Sequence, residues 1–320
     1  MKIAIFTDTF IPTNDGIVTS ICNNIKYFIS VGNKVCLFAP GSSFKKEEYR
    51  GAVVYRIKSR KSSISPGNYK QANFDFKRFN KIWKDAGGFD IVHIHSPGII
   101  GGLGLFLSKV HKVPSVCTYH TNLDMGWDYF MRDTPIGTFK KPIKNLFKKF
   151  FNSASITLTP SRCTLNILKK EGYKHLKVIP NSVDTSIFKP GKETKLRKKL
   201  KIPSKAKVVL YVGRLSAEKK IDLLIKAFSY IRKTDRYLVI AGRGSVLNKL
   251  KKLAREYELE DRIIFPGYIS DKELPHYYRM CDVFASASDF ETQGITFIEA
   301  MALSLIHISE PTRPLYISYA

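Results

Sequence analysis

The chain has 320 residues, 44% apolar and 25% charged, proportions that exclude bulk disorder and a fibrous class, and its length suits two domains better than one core. Against 27 Asp plus Glu it carries 53 Lys plus Arg, a net +26 that attracts phosphate groups, nucleic acid or an anionic membrane surface, unless the lysines are merely spread over solvated faces. Cys22, Cys36, Cys117, Cys163 and Cys281 have neither disulfide-framework nor zinc-ribbon spacing, no apolar run is long enough to span a membrane, and Met1 to Phe6 is a short apolar strand, not a signal peptide; a cytosolic chain is expected.

Short runs rich in β-branched residues alternate with stretches of helical period, the rhythm of βαβ units on a parallel sheet. KIAIF is followed by a helix from Gly16 to about Ser30, then KVCLFA, AVVYRI and DIVHIH, a Gly-rich helix after Pro97, SVCTYHT after Pro114, a basic helix near 140 to 152, SITLT, a helix from Ser161, and KVIP. This first domain spans residues 1–185, and the polar, basic segment 186–207 reads as a linker with one short helix. A second domain, 208–304, places VVLYVG, YLVIAG, IIFPG and DVFASAS between helices starting near Lys220, Ser245 and Asp271. The expected class is α/β, two Rossmann-like doubly wound parallel-sheet domains, with ligands at the carboxyl ends of the strands.

Four local features fall at those ends. Gly16, in the run Asn14-Asp15-Gly16, opens a helix whose backbone N–H groups could approach a phosphate, although a Gly at such a turn is more often only a turn residue. Arg214 and Lys219, five apart just after a strand, can converge on one diphosphate and stabilise the charge that develops on a departing nucleotide. Basic groups sit badly at a helix start unless an anion compensates them, which favours function over two solvated charges. Glu291 and Glu299 flank Gly294, the expected start of a helix with the N–H groups of Ile295 and Thr296 at its end; the spacing aims the carboxylates at different parts of a long ligand, unlike a glycosidase pair flanking one bond. His120 ends an apolar strand and is a functional candidate on position, balanced against a structural histidine. His93 and His95 share one face of DIVHIH, but no third ligand follows at metal-site spacing, so no metal site is assigned.

Gly16, Tyr119-His120-Thr121, Pro180-Asn181, Gly213-Arg214 with Glu218-Lys219, and Glu291-x7-Glu299 followed by Ala300-Met301-Ala302 together resemble the retaining GT-B glycosyltransferases of family 4, over residues 1 to about 304. The resemblance implies two such domains facing across a cleft, an N-terminal one for acceptor and a C-terminal one for the nucleotide-sugar donor. It also implies site roles: Gly16 near the donor phosphate, Arg214 and Lys219 on the diphosphate, Gly294, Ile295 and Thr296 at the helix start, Glu291 on the sugar, Glu299 on the ribose, and His120 near the reacting centre. No cofactor and no metal are expected. Within the family, MKIAIFTDTFIPTNDGIVTSI, TYHTNLDMGWDYF and SDFETQG look most like the diacylglycerol glucosyltransferases, with lipid mannosyltransferases close behind, so UDP-glucose and a membrane lipid acceptor are the favoured substrates. A GDP-mannose-dependent lipid mannosyltransferase or a polysaccharide glycosyltransferase is the alternative.

FKKPIKNLFKKFF, Phe139 to Phe151, gives the lipid reading a physical counterpart: apolar residues at 139, 143, 146, 147, 150 and 151 line one helical face, with Lys140, Lys141, Lys144, Lys148 and Lys149 on the rest. That pattern fits a peripheral protein on the inner face of the cell membrane and fits equally a helix packed on the first sheet with its lysines in water. The basic run RIKSRKSSISPGNYK reads as a mobile loop. Charge alone raises a non-catalytic nucleic-acid- or membrane-binding protein, but no basic-aromatic motif or zinc-finger spacing supports nucleic acid, and none is expected as a partner.

The resemblance departs after Leu303. Residues 305–320 contain no lysine, carry Pro311 and Pro314, and resemble translated sequencing-adapter read-through, so they read as a non-native tail on an incomplete second domain. A domain cut there would bare a sheet edge and apolar faces, which predicts poor solubility or lost activity.

Overall fold

In a computed structural model, the described residues are 1–13, 15–61, 70–72, 76–120, 139–288 and 291–309. They divide into one unit, Met1–Asn181, and a second beginning at Ser182.

The first unit comprises β1 (Lys2–Phe6), α1 (Gly16–Ser30), β2 (Lys34–Gly41), β3 (Lys45–Tyr49), β4 (Ala52–Lys61), β5 (Lys70–Ala72), α2 (Phe76–Asp85), β6 (Ile91–Ile94), α3 (Ile99–Val110), β7 (Ser115–Thr118), α4 (Lys140–Asn152), β8 (Ile156–Thr159), α5 (Arg162–Lys170) and β9 (Leu176–Val178). Among the described residues its sheet runs β3-β4-β2-β1-β6-β7-β8-β9. From β4 to β9 every neighbouring pair on that path is parallel, β3 is an antiparallel edge, and β5 pairs antiparallel with β4. The strand order reverses between β1 and β6, the switch point of a doubly wound sheet.

Strands covered on both faces are near-continuously apolar: Ala4, Ile5 and Phe6 of β1 are fully buried, and Phe6 stacks on Phe38 of β2 at 4.4 Å. The glycines of α3 let its backbone lie on this sheet. A Cβ on Gly101 would fall 1.7 Å from the Ser96 carbonyl oxygen, and one on Gly104 would fall 2.5 Å from the Phe6 ring.

The second unit comprises α6 (Lys195–Lys199), β10 (Lys207–Val212), α7 (Ile221–Ser229), β11 (Arg236–Ala241), α8 (Leu247–Glu256), β12 (Ile263–Gly267), α9 (Leu274–Met280), β13 (Val283–Ser286), α10 (Ile295–Ala302) and β14 (Ile306–Ser309). Its sheet runs β12-β11-β10-β13-β14, with parallel pairs throughout and its switch point between β10 and β13. Leu238, Ile240 and Ile225 are fully buried between this sheet and α7.

The segment 186–207, expected as a linker with one short helix, holds α6 and is tied to the second unit: Arg279 donates to the carbonyls of Ile187 (2.7 Å) and Lys189 (3.1 Å), Glu193 pairs with His276 at 2.6 Å, and Arg197 bonds Met280 O and Asp282. One expectation changes: the β13 edge is not bare, because β14 lies parallel to it in the register Val283↔Ile306 to Ser286↔Ser309. The backbone at 306–309 supplies a strand without needing the prolines that follow, and these lie outside the described residues.

Candidate active site

In the second unit the expected donor residues gather at the β10/β13 switch point. After β10 the chain turns through Gly213 and reaches a short 3-10 turn, Ala217–Lys219, ahead of α7. A Cβ on Gly242, which follows β11, would fall 1.8 Å from the Gly213 carbonyl oxygen, so the two βα loops run backbone against backbone. Tyr211 donates 3.1 Å to the Arg214 carbonyl, and burial pushes its phenol far above the ordinary range, which keeps it a donor.

Both cations of this loop hold carboxylates. The Arg214 guanidinium meets Glu218 Oε1 at 3.1 Å, and Ser216 Oγ donates to the same oxygen at 2.6 Å. Glu218 is 1% exposed while the Arg214 side chain is 44% exposed, so the carboxylate anchors the base of the guanidinium from below. Lys219 Nζ meets Glu291 Oε1 at 2.6 Å. A diphosphate arriving here would exchange for these internal counterions instead of meeting bare charge, which limits the desolvation cost of holding the cations.

Gly294 is the N-cap of α10 and gives no side-chain cap, so the Ile295 and Thr296 end of the helix is an anion-favouring terminus. Glu299, a turn in, is 5% exposed and accepts 2.7 Å from the Tyr278 hydroxyl, which lies 3.2 Å from the Thr296 carbonyl as well. Burial raises the Glu299 carboxyl to about 7, against the hydrogen bond from Tyr278 that favours the anion. Glu291 and Glu299 therefore address different partners, Lys219 and Tyr278.

The first unit presents different chemistry. At the ends of β1 and β6, Asp8 is 2% exposed; its carboxylate accepts from Ser96 Oγ (2.6 Å), Ile100 N (2.8 Å) and Gly101 N (3.3 Å), filling the start of α3. Gly16 is the first residue of α1, as expected, but Asp15 caps that helix by accepting 2.9 Å from Val18 N, and Thr9 Oγ1 donates to it at 3.2 Å. Asn14 and Thr121 lie outside the described residues.

His120 follows β7 and is half-buried. Its Nε2 lies 2.8 Å from His95 Nδ1, with the rings stacked at 5.0 Å, and His93, 4.1 Å from His95 between ring centroids, bonds Thr118 Oγ1 at 2.8 Å. Burial holds all three imidazoles neutral, His93 down to about 4 and His120 to about 3. The third histidine that spacing did not reveal is thus His120. Two of the nitrogens face one another in a hydrogen bond, and among the described residues no group of three His, Cys, Asp or Glu side chains is set to hold a metal ion.

Along α4 the expected apolar face is only partly packed. Phe151 is buried, Ile143, Phe147 and Phe150 are half-buried, and Leu146 and Phe139 are 64% and 56% exposed. Lys141 and Lys149 are exposed and Lys140 is half-buried. Lys144 instead pairs with Glu171 at 3.0 Å and Lys148 reaches the Glu171 carbonyl at 3.4 Å, so these two are turned toward the end of α5 by a carboxylate and a helix terminus. The basic run expected as a mobile loop is strand at both ends, Arg56 to Lys61 closing β4 and Lys70 opening β5, and residues 62–69 lie outside the described residues.

Sequence reasoning missed Glu218, Tyr278 and Asp8 as partners. The Arg214-to-Glu218 spacing of four was a usable signal; nothing in the spacing of Tyr278 or Asp8 pointed to theirs.

Comparison with known proteins converges on the same chemistry. Residues 14–187 match the model of Glycosyltransferase Family 4, and residues 192–315 that of Glycosyl transferases group 1. The chain is 31% identical to an alpha-monoglucosyldiacylglycerol synthase of Streptococcus pneumoniae, over 94% of this chain and 69% of that protein, and 30% identical to the Acholeplasma laidlawii protein of the same name, over 95% and 79%. Among solved structures it matches Anabaena HepE in complex with UDP-glucose at a TM-score of 0.73 and 20% identity, covering 97% of this chain and 80% of that one, a likeness of fold. The second match runs to residue 315, past the boundary drawn at 304. With two parallel switch-point sheets, a cation-bearing loop after β10 and a carboxylate on each side of the α10 start, the chain belongs to glycosyltransferase family 4, of GT-B fold, and transfers sugar from nucleotide-sugar donors.

Proposed function

We propose that this protein is a retaining hexosyltransferase that moves glucose from UDP-glucose to diacylglycerol or a related membrane lipid on the inner face of the cell membrane. The observation that carries this reading is the pairing of Arg214 with Glu218 and Lys219 with Glu291 at one strand end: two cations poised where a diphosphate leaves, beside a carboxylate suited to sugar hydroxyls. The likeness to two alpha-monoglucosyldiacylglycerol synthases supports glucose as the sugar and diacylglycerol as the acceptor.

In this mechanism the bond from the anomeric carbon to the donor phosphate breaks while the acceptor oxygen bonds that carbon from the same face. The acceptor proton passes to the departing phosphate oxygen. Arg214 and Lys219 stabilise the charge that grows there, more in the transition state than in the ground state, and so do the work a metal ion does elsewhere. Glu291 orients the sugar, Glu299 the ribose, and His120 faces the reacting sugar. The Ile295 and Thr296 end of α10 receives phosphate. Lys140, Lys141 and Lys149, with exposed Leu146 and Phe139, meet anionic lipid.

A donor screen by mass spectrometry, with UDP-glucose, UDP-galactose and GDP-mannose offered to vesicles of diacylglycerol or phosphoinositide, tests the reading. Glucosyl-diacylglycerol is the expected product. A mannosyl product would establish the second reading, to which 26% identity with a Corynebacterium glutamicum GDP-mannose-dependent alpha-mannosyltransferase over 94% of this chain lends weight. No product from any donor would overturn both.

A further inference from the structure

We infer that His95 is a positioning residue that locks His120 into its neutral Nδ1–H form, so that His120 offers a hydrogen-bond donor, never an acceptor, from the ring nitrogen directed away from His95. The functional consequence rests on the role proposed for His120; the protonation pattern itself does not.

The geometry comes from two adjacent parallel strands. Register pairs Ile94 of β6 with Cys117 of β7, so the residues just past each strand end, His95 and His120, emerge side by side at the same edge of the sheet. Their nitrogens, His95 Nδ1 and His120 Nε2, are 2.8 Å apart, a hydrogen bond with one proton between them. The question is which ring supplies it, and the answer lies at the far side of His95. That ring is 1% exposed, and its Nε2 is buried with no hydrogen-bond partner among the described residues.

A neutral imidazole carries one proton. If His95 carried it on Nε2, a buried N–H would be orphaned, an arrangement native interiors almost never hold, whereas an unfilled acceptor lone pair is tolerated more often. The proton therefore sits on His95 Nδ1 and is donated to His120 Nε2. His120 Nε2 is then bare, and the single proton of His120 resides on Nδ1. The surroundings keep the pattern neutral: the rings of His93 and His95 lie 4.1 Å apart, and a second charge in this cluster would meet both desolvation and an adjacent imidazole. His93 completes the frame, since its bond to Thr118 at 2.8 Å ties β6 to β7 two residues before His120.

The arrangement gives His95 a role distinct from core filling. A hydrophobic residue of the same volume would fill the space and leave His120 free to rotate or to take the Nε2–H form. A side chain with an N–H at the Nδ1 position would keep the lock.

The test uses the whole chain labelled with 15N-histidine, in long-range proton–nitrogen correlation spectra, with His95→Leu and His120→Gln assigning the two rings. His95 and His120 are both expected to show a protonated Nδ1 and a bare Nε2. A protonated Nε2 on either ring overturns the inference, whatever the donor or acceptor proves to be. In turnover, His95→Asn, whose amide can place an N–H where Nδ1–H stood, is expected to retain transfer. His95→Leu is expected to lose on the order of 10- to 100-fold in kcat with donor KM unchanged, the scale of a misplaced reacting group. Equal loss in both variants would reduce His95 to a structural residue and overturn its positioning role.

Discussion

The two units hold their chemistry in opposite ways at equivalent places in their sheets. At the β1/β6 switch point the first unit removes charge from water and neutralises it: three imidazoles are held neutral by burial, and Asp8 is enclosed by a hydroxyl and two backbone N–H groups. At the β10/β13 switch point the second unit keeps full charges and balances each with another, Arg214 with Glu218 and Lys219 with Glu291. One site is suited to directional hydrogen bonding with an uncharged sugar. The other is suited to exchanging its own carboxylates for a diphosphate. The same doubly wound frame supports both, because what differs is the short loop after each strand.

The largest effect that would break this contrast is loss of the second unit's cations. Arg214→Ala combined with Lys219→Ala is expected to lower kcat/KM by roughly 10²- to 10³-fold or more, as removal of a preorganised charge stabiliser does. Steady-state kinetics on the doubly substituted chain check this, and turnover within a few-fold of the parent would remove these residues from the site.

Next comes Glu299, the one group of the second site that departs from the rule of paired charge. Its carboxyl in the folded chain is raised to about 7, above its unfolded value, so folding takes up a proton in the interval between them. Stability from this group is full below the unfolded value and falls as pH rises through the folded one, by at most about 1.4 kcal/mol per pH unit. Glu299→Gln should flatten that slope, gaining on the parent as pH rises toward 7 in denaturant titrations. A constant difference across the interval would mean that Glu299 is ionised throughout.

The smallest effect belongs to the first unit and concerns shape more than size. Because burial holds His120 neutral down to about 3, His120→Gln should cost a net hydrogen bond, about 1 kcal/mol, by the same factor at every pH from 5 to 8. Parallel pH–rate profiles for the two chains are expected. A loss that grows toward acid would show His120 acting as a cation.

Much of this frame is legible in sequence because strands buried on both faces have no choice of composition: KIAIF, VVLYV and YLVIA can only be core. β3 is not legible, since KKEEY is an exposed antiparallel edge whose charges protect it from pairing and erase the apolar signal. β7 stops at Thr118, three residues short of the expected SVCTYHT, because Tyr119 turns into a cluster with Phe151 and Tyr173 while His120 swings to His95. For the site, the cations and the Glu291/Glu299 spacing were readable as local pattern. The full imidazole cluster was not, for His120 lies 25 positions from His95 and joins the His93/His95 pair only once β6 and β7 are known to be neighbours.

Asp8 has a consequence for where a ligand's negative charge can go. Four helices begin after the strands that flank the two switch points, and each start carries the positive end of a backbone dipole. Asp8 occupies that of α3, and Asp15 that of α1. In the second unit the N-cap residues of α7 and α10, Lys220 and Gly294, give no side-chain cap. The first unit has already answered its backbone dipoles with its own carboxyl groups, so it is the second unit's helix starts that are left to recruit a foreign anion. The protein thus sorts its ligands by occupying the places where they should not bind.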